Sequence, residues 1–312
     1  MTAAAAALLA LGLGSVAGAP ARADPPASPS NGVTLPAPNA PAPTLSGGNV
    51  QQLAKPAAAK GPDPYELAIA AAHRGDFATA VKILQPLADK GESRAELNLA
   101  ALYIEGAGVP KDPVRGAALM KKAAEQGVAQ AQYLYGILML GADGVQRNMP
   151  EAMTWLAKAA DQGHPVAQYN LATIYRSGLG GVTPDAAKAV DYFTKAADAG
   201  EVRAETDLAS MYRKGEGVPK DPAKAMALLT KAAQRRYGVA EYDLAALYKS
   251  GEAGKPDPVQ AYVWFSLAAS QPMRDRPEIA ELANGEIQAL TGTMTAEQID
   301  QAKALVGIWT GH

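Results

Sequence analysis

The side chains able to do chemistry are few. Three histidines, His73, His164 and His312, stand at unrelated positions. None forms an i, i+4 pair with another or joins a carboxylate cluster, so no zinc, haem or acid–base histidine site is expected, and each reads as a solvated surface residue. The chain has no cysteine, which removes disulfides, thiolate nucleophiles, Cys-ligated metals and a lipidated N-terminal Cys. No G-x-S-x-G, G-x-x-x-x-G-K-[ST] or G-x-G-x-x-G stands between a strand and a helix. A formal charge of -2 argues against a non-specific polyanion binder, so nucleic acid is not an expected partner. We therefore expect no enzyme, no cofactor and no metal, and look for chemistry on surfaces.

Those surfaces depend on how the chain is organised. Residues 1–23 read as a signal peptide, with an apolar core from Ala3 to Leu13 and an A-x-A pattern at Ala21-Arg22-Ala23. No Lys or Arg precedes that core, which departs from the usual pattern, and the core is about half the length that spans a bilayer. Export to the periplasm or outside the cell is expected, with no membrane-spanning segment after cleavage. Residues 24–60 are rich in Pro, Ala, Ser and Gly and nearly uncharged, and read as a disordered linker.

From Tyr65 the apolar residues take helical spacing and the sequence repeats itself about every 36 residues. Full units run 92–127, 128–163, 164–200, 201–236 and 237–271, after a half unit at 65–91, so the array occupies 61–271. Each unit predicts two helices. Ala95, Leu99 and Leu102 mark the inward stripe of one first helix, as do Ala167, Leu171 and Ile174 of another. A Gly-rich turn follows, as in GAGVPKDP over 106–113. Asp112, Asn148, Asp185, Asp221 and Asp257 stand as N-caps of the second helices, with Pro at 113, 222 and 258 in the first turn. The second helices bury Ala152, Ala189, Ala225 and Ala261, each with a bulky pair such as Trp155-Leu156 or Trp264-Phe265. Two more helices, 278–290 and 296–309, with Thr295 and Gln298 as a capping box, form an expected C-terminal cap over 272–312.

The consensus LAALYxxGxGVxxDPxxAxxWLxKAAxxG resembles the Sel1-like repeat, a relative of the tetratricopeptide repeat. This resemblance implies an all-α, right-handed α/α superhelical solenoid whose first helices line a concave face. It also implies a non-catalytic scaffold for protein partners, working in signalling, secretion, polysaccharide export or envelope control. A periplasmic regulator restraining a sensor kinase is an alternative within binding, and an enzyme of cell-wall or polysaccharide metabolism is a reading from another class. Some cysteine-rich relatives are associated with β-lactams, but this chain lacks their cysteines and an S-x-x-K motif.

Three surfaces stand out on such an array. One column across the first helices reads Asn98, Leu134, Asn170, Asp207 and Asp243, and in tetratricopeptide relatives Asn on that face holds a peptide backbone or terminal carboxylate. The same side chains serve equally well as hydrogen-bonding groups within or between repeats. The second unit differs, because residues 133–140 are apolar on every side, which makes Leu134 and Ile137 a candidate docking patch. Finally, Arg176, Arg213 and Lys249 recur near the ends of successive first helices, beside Lys214. They are either a ladder for an acidic partner or polysaccharide, or cations favoured by the helix dipole; Lys122, Lys158, Lys195 and Lys231 in the second helices read the same way.

Overall fold

The computed structural model describes residues 63–270, Arg276 and 278–311. The expected signal peptide, the linker and His312 lie outside the described residues. Among these, every regular element is helical, apart from two single 3-10 turns. The half unit holds α1 (Pro64–His73) and α2 (Phe77–Asp89). Five full units follow: α3 (Ser93–Glu105) with α4 (Pro113–Glu125), α5 (Ala129–Met139) with α6 (Met149–Asp161), and α7 (Pro165–Ser177) with α8 (Ala186–Asp198). The last two are α9 (Val202–Lys214) with α10 (Pro222–Gln234), and α11 (Gly238–Ser250) with α12 (Pro258–Ala269). The cap is α13 (Glu278–Thr291) and α14 (Ala296–Thr310). From α1 to α13 each helix packs on the next, and α12 packs on both cap helices, so the array is an α/α solenoid.

Local chemistry starts and stops these helices as expected. Asp112, Asn148, Asp185, Asp221 and Asp257 each accept from the backbone N–H three residues on, at 2.9 to 3.2 Å. The capping box closes in both directions between Thr295 and Gln298. Most of the first helices end on a left-handed glycine, among them Gly106, Gly178, Gly215 and Gly251. Two irregularities in the repeat have simple solutions. The shifted glycine of the second unit and the extra residue of the third are taken up by 3-10 turns at Ala142–Gly144 and Leu179–Gly181. Arg236 stands where the second helices of the half unit and the first three full units end on glycine, and it adopts that residue's left-handed backbone, with φ +62°.

The core is a stack of small contacts. Ala95, Ala131, Ala167, Ala204 and Ala240 are fully buried in the five first helices, and Ala123, Ala159, Ala196, Ala232 and Ala268 in the second helices. Side chains this short let helices approach at the low end of the usual 8–10 Å interaxial range. Leu99, Leu156, Phe193, Leu229 and Phe265 fill the space between them. In the cap, Ala302 is buried and Trp309 lies 5.2 Å from Trp264, closing the end of the array.

The Gly-rich turn does a second job that its first glycine does not reveal. A Cβ at Gly217 would lie 2.5 Å from the Ala186 carbonyl oxygen in the preceding unit, and one at Gly108 would lie 2.4 Å from the Phe77 carbonyl carbon. Both have positive φ. In the first and fourth full units the second glycine is therefore where the turn touches the backbone of the unit before it. Gly217→Ala combines a left-handed conformation with that clash, and should cost about 1–3 kcal/mol in denaturant unfolding; an unchanged midpoint would mean the turn does not bear on its neighbour.

Candidate functional site

The column singled out in the sequence lies on the face lined by the first helices, and most of it is already occupied. Asn98 is 2% exposed and donates to the Tyr65 hydroxyl at 2.9 Å and to the Arg94 carbonyl at 2.8 Å. Asn170 bonds to the Tyr133 hydroxyl and donates to the Val166 carbonyl at 2.7 Å. Asp207 accepts from the Tyr169 hydroxyl at 3.1 Å and pairs with Arg176 at 3.1 Å. Burial and the Asp207 carboxylate push the Tyr169 phenol up to about 12. The rule is regular: the Asn or Asp of one unit meets a tyrosine one residue earlier in the register of the unit before.

This rule also explains the two exceptions. Leu97 takes the tyrosine place in the first full unit, and its partner place holds Leu134, half-buried and packed on the same apolar cluster as Leu97. Thr206 takes the tyrosine place in the fourth unit, and its hydroxyl turns back to the Val202 carbonyl. Asp243 therefore receives no phenol; it is half-buried, and burial raises its carboxyl above the usual range despite Arg213, Arg276 and Lys214 nearby. Of the sequence-predicted residues, then, Asn98, Asn170 and Asp207 tie repeats together, Leu134 continues that contact in apolar form, and Asp243 ends it.

Ile137 is different. Its column reads Ala101, Ile137, Thr173, Ser210 and Ala246, so it is the one bulky side chain in a row of small ones. It is half-buried against the cluster around Leu156 and Leu171. Among the first helices of the array α5 alone carries no charged residue.

Arg176, Arg213 and Lys249 are paired within the array, which gives no support to the reading of this column as a ladder for an acidic partner or polysaccharide. Arg176 makes a two-pronged contact with Glu216 of the next unit, 3.0 Å on each prong. Arg213 reaches Glu252 at 3.2 Å, and Lys249 pairs with Glu286 of α13. Each cation is neutralised by the following unit. Ile104 and Leu140 hold the same place in the first two units, so the junctions pass from apolar to ionic along the array. The second-helix lysines are likewise engaged: Lys158 lies over the Trp155 ring, Lys195 pairs with Asp191, and Lys231 with Glu205.

A second polar column went unread in the sequence. Glu96, Gln132, Gln168, Glu205 and Glu241 occupy one register place and are all buried. Gln126 donates to Glu96 at 2.7 Å and Gln162 to Gln132 at 2.7 Å, while Gln132 and Gln168 donate to the Ala124 and Ala160 carbonyls of the preceding second helices. In the third unit Ala199 replaces the partner glutamine, which leaves the Gln168 carbonyl oxygen buried without a hydrogen bond. The signal was a Glu or Gln at the same place in every unit.

His164 also departs from the expected surface residue. It caps α7, its Nδ1 accepting from the Ala167 N–H at 3.2 Å, so the proton sits on Nε2, 2.8 Å from Gln130 Oε1. Its ring stacks on Tyr133 with centroids 4.7 Å apart. His73 is exposed, as expected. No three His, Asp or Glu among the described residues gather as metal ligands, and no described helix is long and apolar enough to cross a membrane.

Tandem helix pairs joined by side chains from consecutive repeats, with an open face of first helices, define an α-helical repeat protein of the scaffold class. Five consecutive segments, 93–128, 129–164, 165–201, 202–237 and 238–272, match the Sel1 repeat model, and the chain belongs to the Sel1 repeat family. Proteins of this family generally mediate protein–protein interaction, and its scaffold is typically non-catalytic. A Sel1 repeat protein from Oxalobacter formigenes is 27% identical, with a TM-score of 0.64 over 69% of this chain and 88% of its own. The protective antigen c5321 of uropathogenic Escherichia coli, with an SLR fold, is 25% identical over 78% of this chain and 59% of its own, with a TM-score of 0.47. The immunity protein Pa5087 of Pseudomonas aeruginosa is 25% identical over 66% of this chain and 79% of its own, with a TM-score of 0.41. No curated protein sequence matches the chain.

Burial holds the His164 ring below its ordinary pKa, in the neutral form that capping requires. The unfolded chain takes up this proton as pH falls through about 6.5 while the folded chain resists, so stability is lost from there down to the folded pKa. Asp207 and Asp243, whose carboxyls are raised, carry the opposite sign. His164→Asn keeps an N-cap without the titration. The thermal midpoint of the native chain should therefore drop more between pH 7 and 5.5 than that of His164→Asn, and equal slopes would rule out the cap.

Proposed function

We propose that this protein is a non-catalytic scaffold of the bacterial cell envelope that holds an extended segment of a protein partner on the face lined by its first helices, centred on the second unit. The observation that supports this is Ile137: a bulky, half-buried, uncharged side chain in a column of small residues, on the one uncharged first helix, beside Leu134. Around it the polar column is bound internally and the basic column is neutralised. Apolar contact is therefore the attraction this face offers, in the manner of grooves that recognise segments through a few anchors. Asp243, where the polar column ends without a phenol, is a half-buried acceptor on the same face.

The envelope part of this reading rests on the Ala3–Leu13 core and the A-x-A pattern, and a fusion of residues 1–30 to a periplasm-dependent reporter tests it. A regulator that restrains a sensor kinase or a polysaccharide export system is a special case of the same binding mode. For the docking face, Ile137→Asp should abolish photo-crosslinked capture from position 134 in cells while the helical circular dichroism stays that of the native chain. Val114, 75% exposed on a second helix, gives the control, and Val114→Asp should leave capture intact. Unchanged capture by Ile137→Asp would remove the site.

A further inference from the structure

Seven residues after the N-cap of each second helix stands one bulky side chain: Leu119, Trp155, Tyr192, Leu228 and Trp264. Each of the three aromatic ones meets another ring, Trp155 with Tyr135, Tyr192 with Tyr175 and Trp264 with Trp309 of the cap. Leu119 has no ring, but there Gln85 of α2 accepts from the Tyr103 hydroxyl at 3.4 Å and from Arg115 at 3.3 Å, and Tyr103 is buried. The fourth unit has neither device. Leu228 replaces the ring, and Thr194, at the place of Gln85, turns its hydroxyl back to the Val190 carbonyl at 2.8 Å. Ala227 stands where the third unit has Asp191. What remains is a groove of about 360 Å³ between α8 and α10, with Leu208 and Tyr212 of α9 in its lining. We propose that this groove receives an aromatic side chain from an acidic segment of a protein partner. It is built largely on second helices and does not depend on the reading of the face at Ile137.

The third unit is the template for the ring. There Lys188 lies over the Tyr175 ring at 5.1 Å, and Tyr192 stacks on the same tyrosine, 5.9 Å between centroids and 4° from parallel. The fourth unit repeats half of this arrangement. Lys224 lies over Tyr212 at 5.1 Å, and among the described residues no ring meets Tyr212. A partner's ring laid where Tyr192 lies one unit earlier completes the stack and covers Leu228 and Leu208, gaining both apolar burial and the ring–ring contact. Tryptophan and tyrosine seated in such apolar recesses are the usual anchors of a protein interface.

Charge sets the rest of the segment. Lys224 is exposed and has no ion pair among the described residues, whereas Lys188, at the same place in the third unit, pairs with Asp185 at 3.4 Å. Because Lys224 lies over the tyrosine that the partner's ring would stack on, a carboxylate next to that ring in the partner comes within its reach. The other charged groups of the groove are Lys231, which pairs with the buried Glu205 at 2.8 Å, and Asp198, exposed at the end of α8. Asp198 repels a carboxylate from the α8 rim and so directs it to the α10 rim, where Lys224 stands.

Three blocked tripeptides, Asp-Trp-Asp, Lys-Trp-Lys and Asp-Ala-Asp, test this on the full chain, with isotope-labelled leucine methyl groups followed by NMR. Asp-Trp-Asp should shift the Leu208 and Leu228 methyls saturably, with a dissociation constant in the millimolar range. Asp-Ala-Asp should leave them in place, and Lys-Trp-Lys should bind at least about threefold more weakly. Leu228→Trp puts into the groove the residue that Trp155 and Trp264 supply elsewhere, and should weaken Asp-Trp-Asp at least about tenfold, read at Leu208, with the thermal midpoint of the native chain. Thr194→Gln, which restores the closure that Gln85 gives the first unit, should weaken it likewise without touching α10. Lys224→Gln should bring the acidic and basic tryptophan peptides to the same affinity. Methyl shifts that do not saturate, or binding that survives unchanged in a folded Leu228→Trp or Thr194→Gln chain, would overturn the proposal. Equal binding of Asp-Trp-Asp and Lys-Trp-Lys by the native chain would overturn its acidic partner.

Discussion

The contacts on the first-helix face follow from the distance at which consecutive repeats sit. Alanine at two places per unit, fully buried from Ala95 to Ala268, sets that distance by leaving nothing longer than a methyl group between backbones. The second glycine of the turn enforces it at the other end of the helix pair, where Gly108 and Gly217 lie against the neighbouring main chain. At that spacing a tyrosine of one unit just reaches the Asn or Asp of the next, and an arginine at a helix end reaches a glutamate in the next turn. Longer core residues would separate the repeats and leave these polar groups buried without partners, at a cost of about 1–3 kcal/mol each.

The consequence for function is that polarity on the first-helix face is mostly committed to structure. Three kinds of inter-repeat contact run side by side: the tyrosine ladder, the buried Glu/Gln column and the cation–glutamate clamps. Each engages groups that would otherwise be free to bind a partner. In the second unit the junction is built from Leu97 and Leu134 in place of a phenol and an amide, and Ile137 stands above its column. The change from apolar junctions near Ile104 and Leu140 to ionic ones at Arg176, Arg213 and Lys249 means that the two halves of the array respond differently to salt, the C-terminal half being the more sensitive.

Much of this was legible in the sequence. The repeat length, both helices of each unit, the five N-caps and the capping box at Thr295 follow from residue types that act within one turn of helix, so a single strand of sequence contains the whole cause. The roles of Asn98, Asn170 and Asp207 do not, because each is decided by a tyrosine more than 30 residues away. The column was visible, but its partner column was one place earlier in the preceding unit and shifted by the extra turn residue of the third. The pairing of Arg176 and Arg213 was hidden for the same reason: Glu216 and Glu252 sit in turns, not on the helix that carries the cation. His164 looked like an isolated surface residue because its cap and its stack on Tyr133 depend on where the preceding first helix lies. Buried Glu205 and Glu241 were hidden by the ordinary expectation that carboxylates face water.

The claim on which the account turns is that the polar column joins repeats, so that its members are coupled to residues of the neighbouring unit. A double-mutant cycle on Tyr65 and Asn98 measures this directly, with Tyr65→Leu, Asn98→Leu and the double variant, which reproduces the natural Leu97 and Leu134 pairing one junction later. The account predicts that each single substitution loses about 1–3 kcal/mol through the buried group it strands, and that the double loses at least about 1 kcal/mol less than their sum. Additive losses, or an Asn98→Leu variant as stable as the native chain, would contradict it and return the column to the partner.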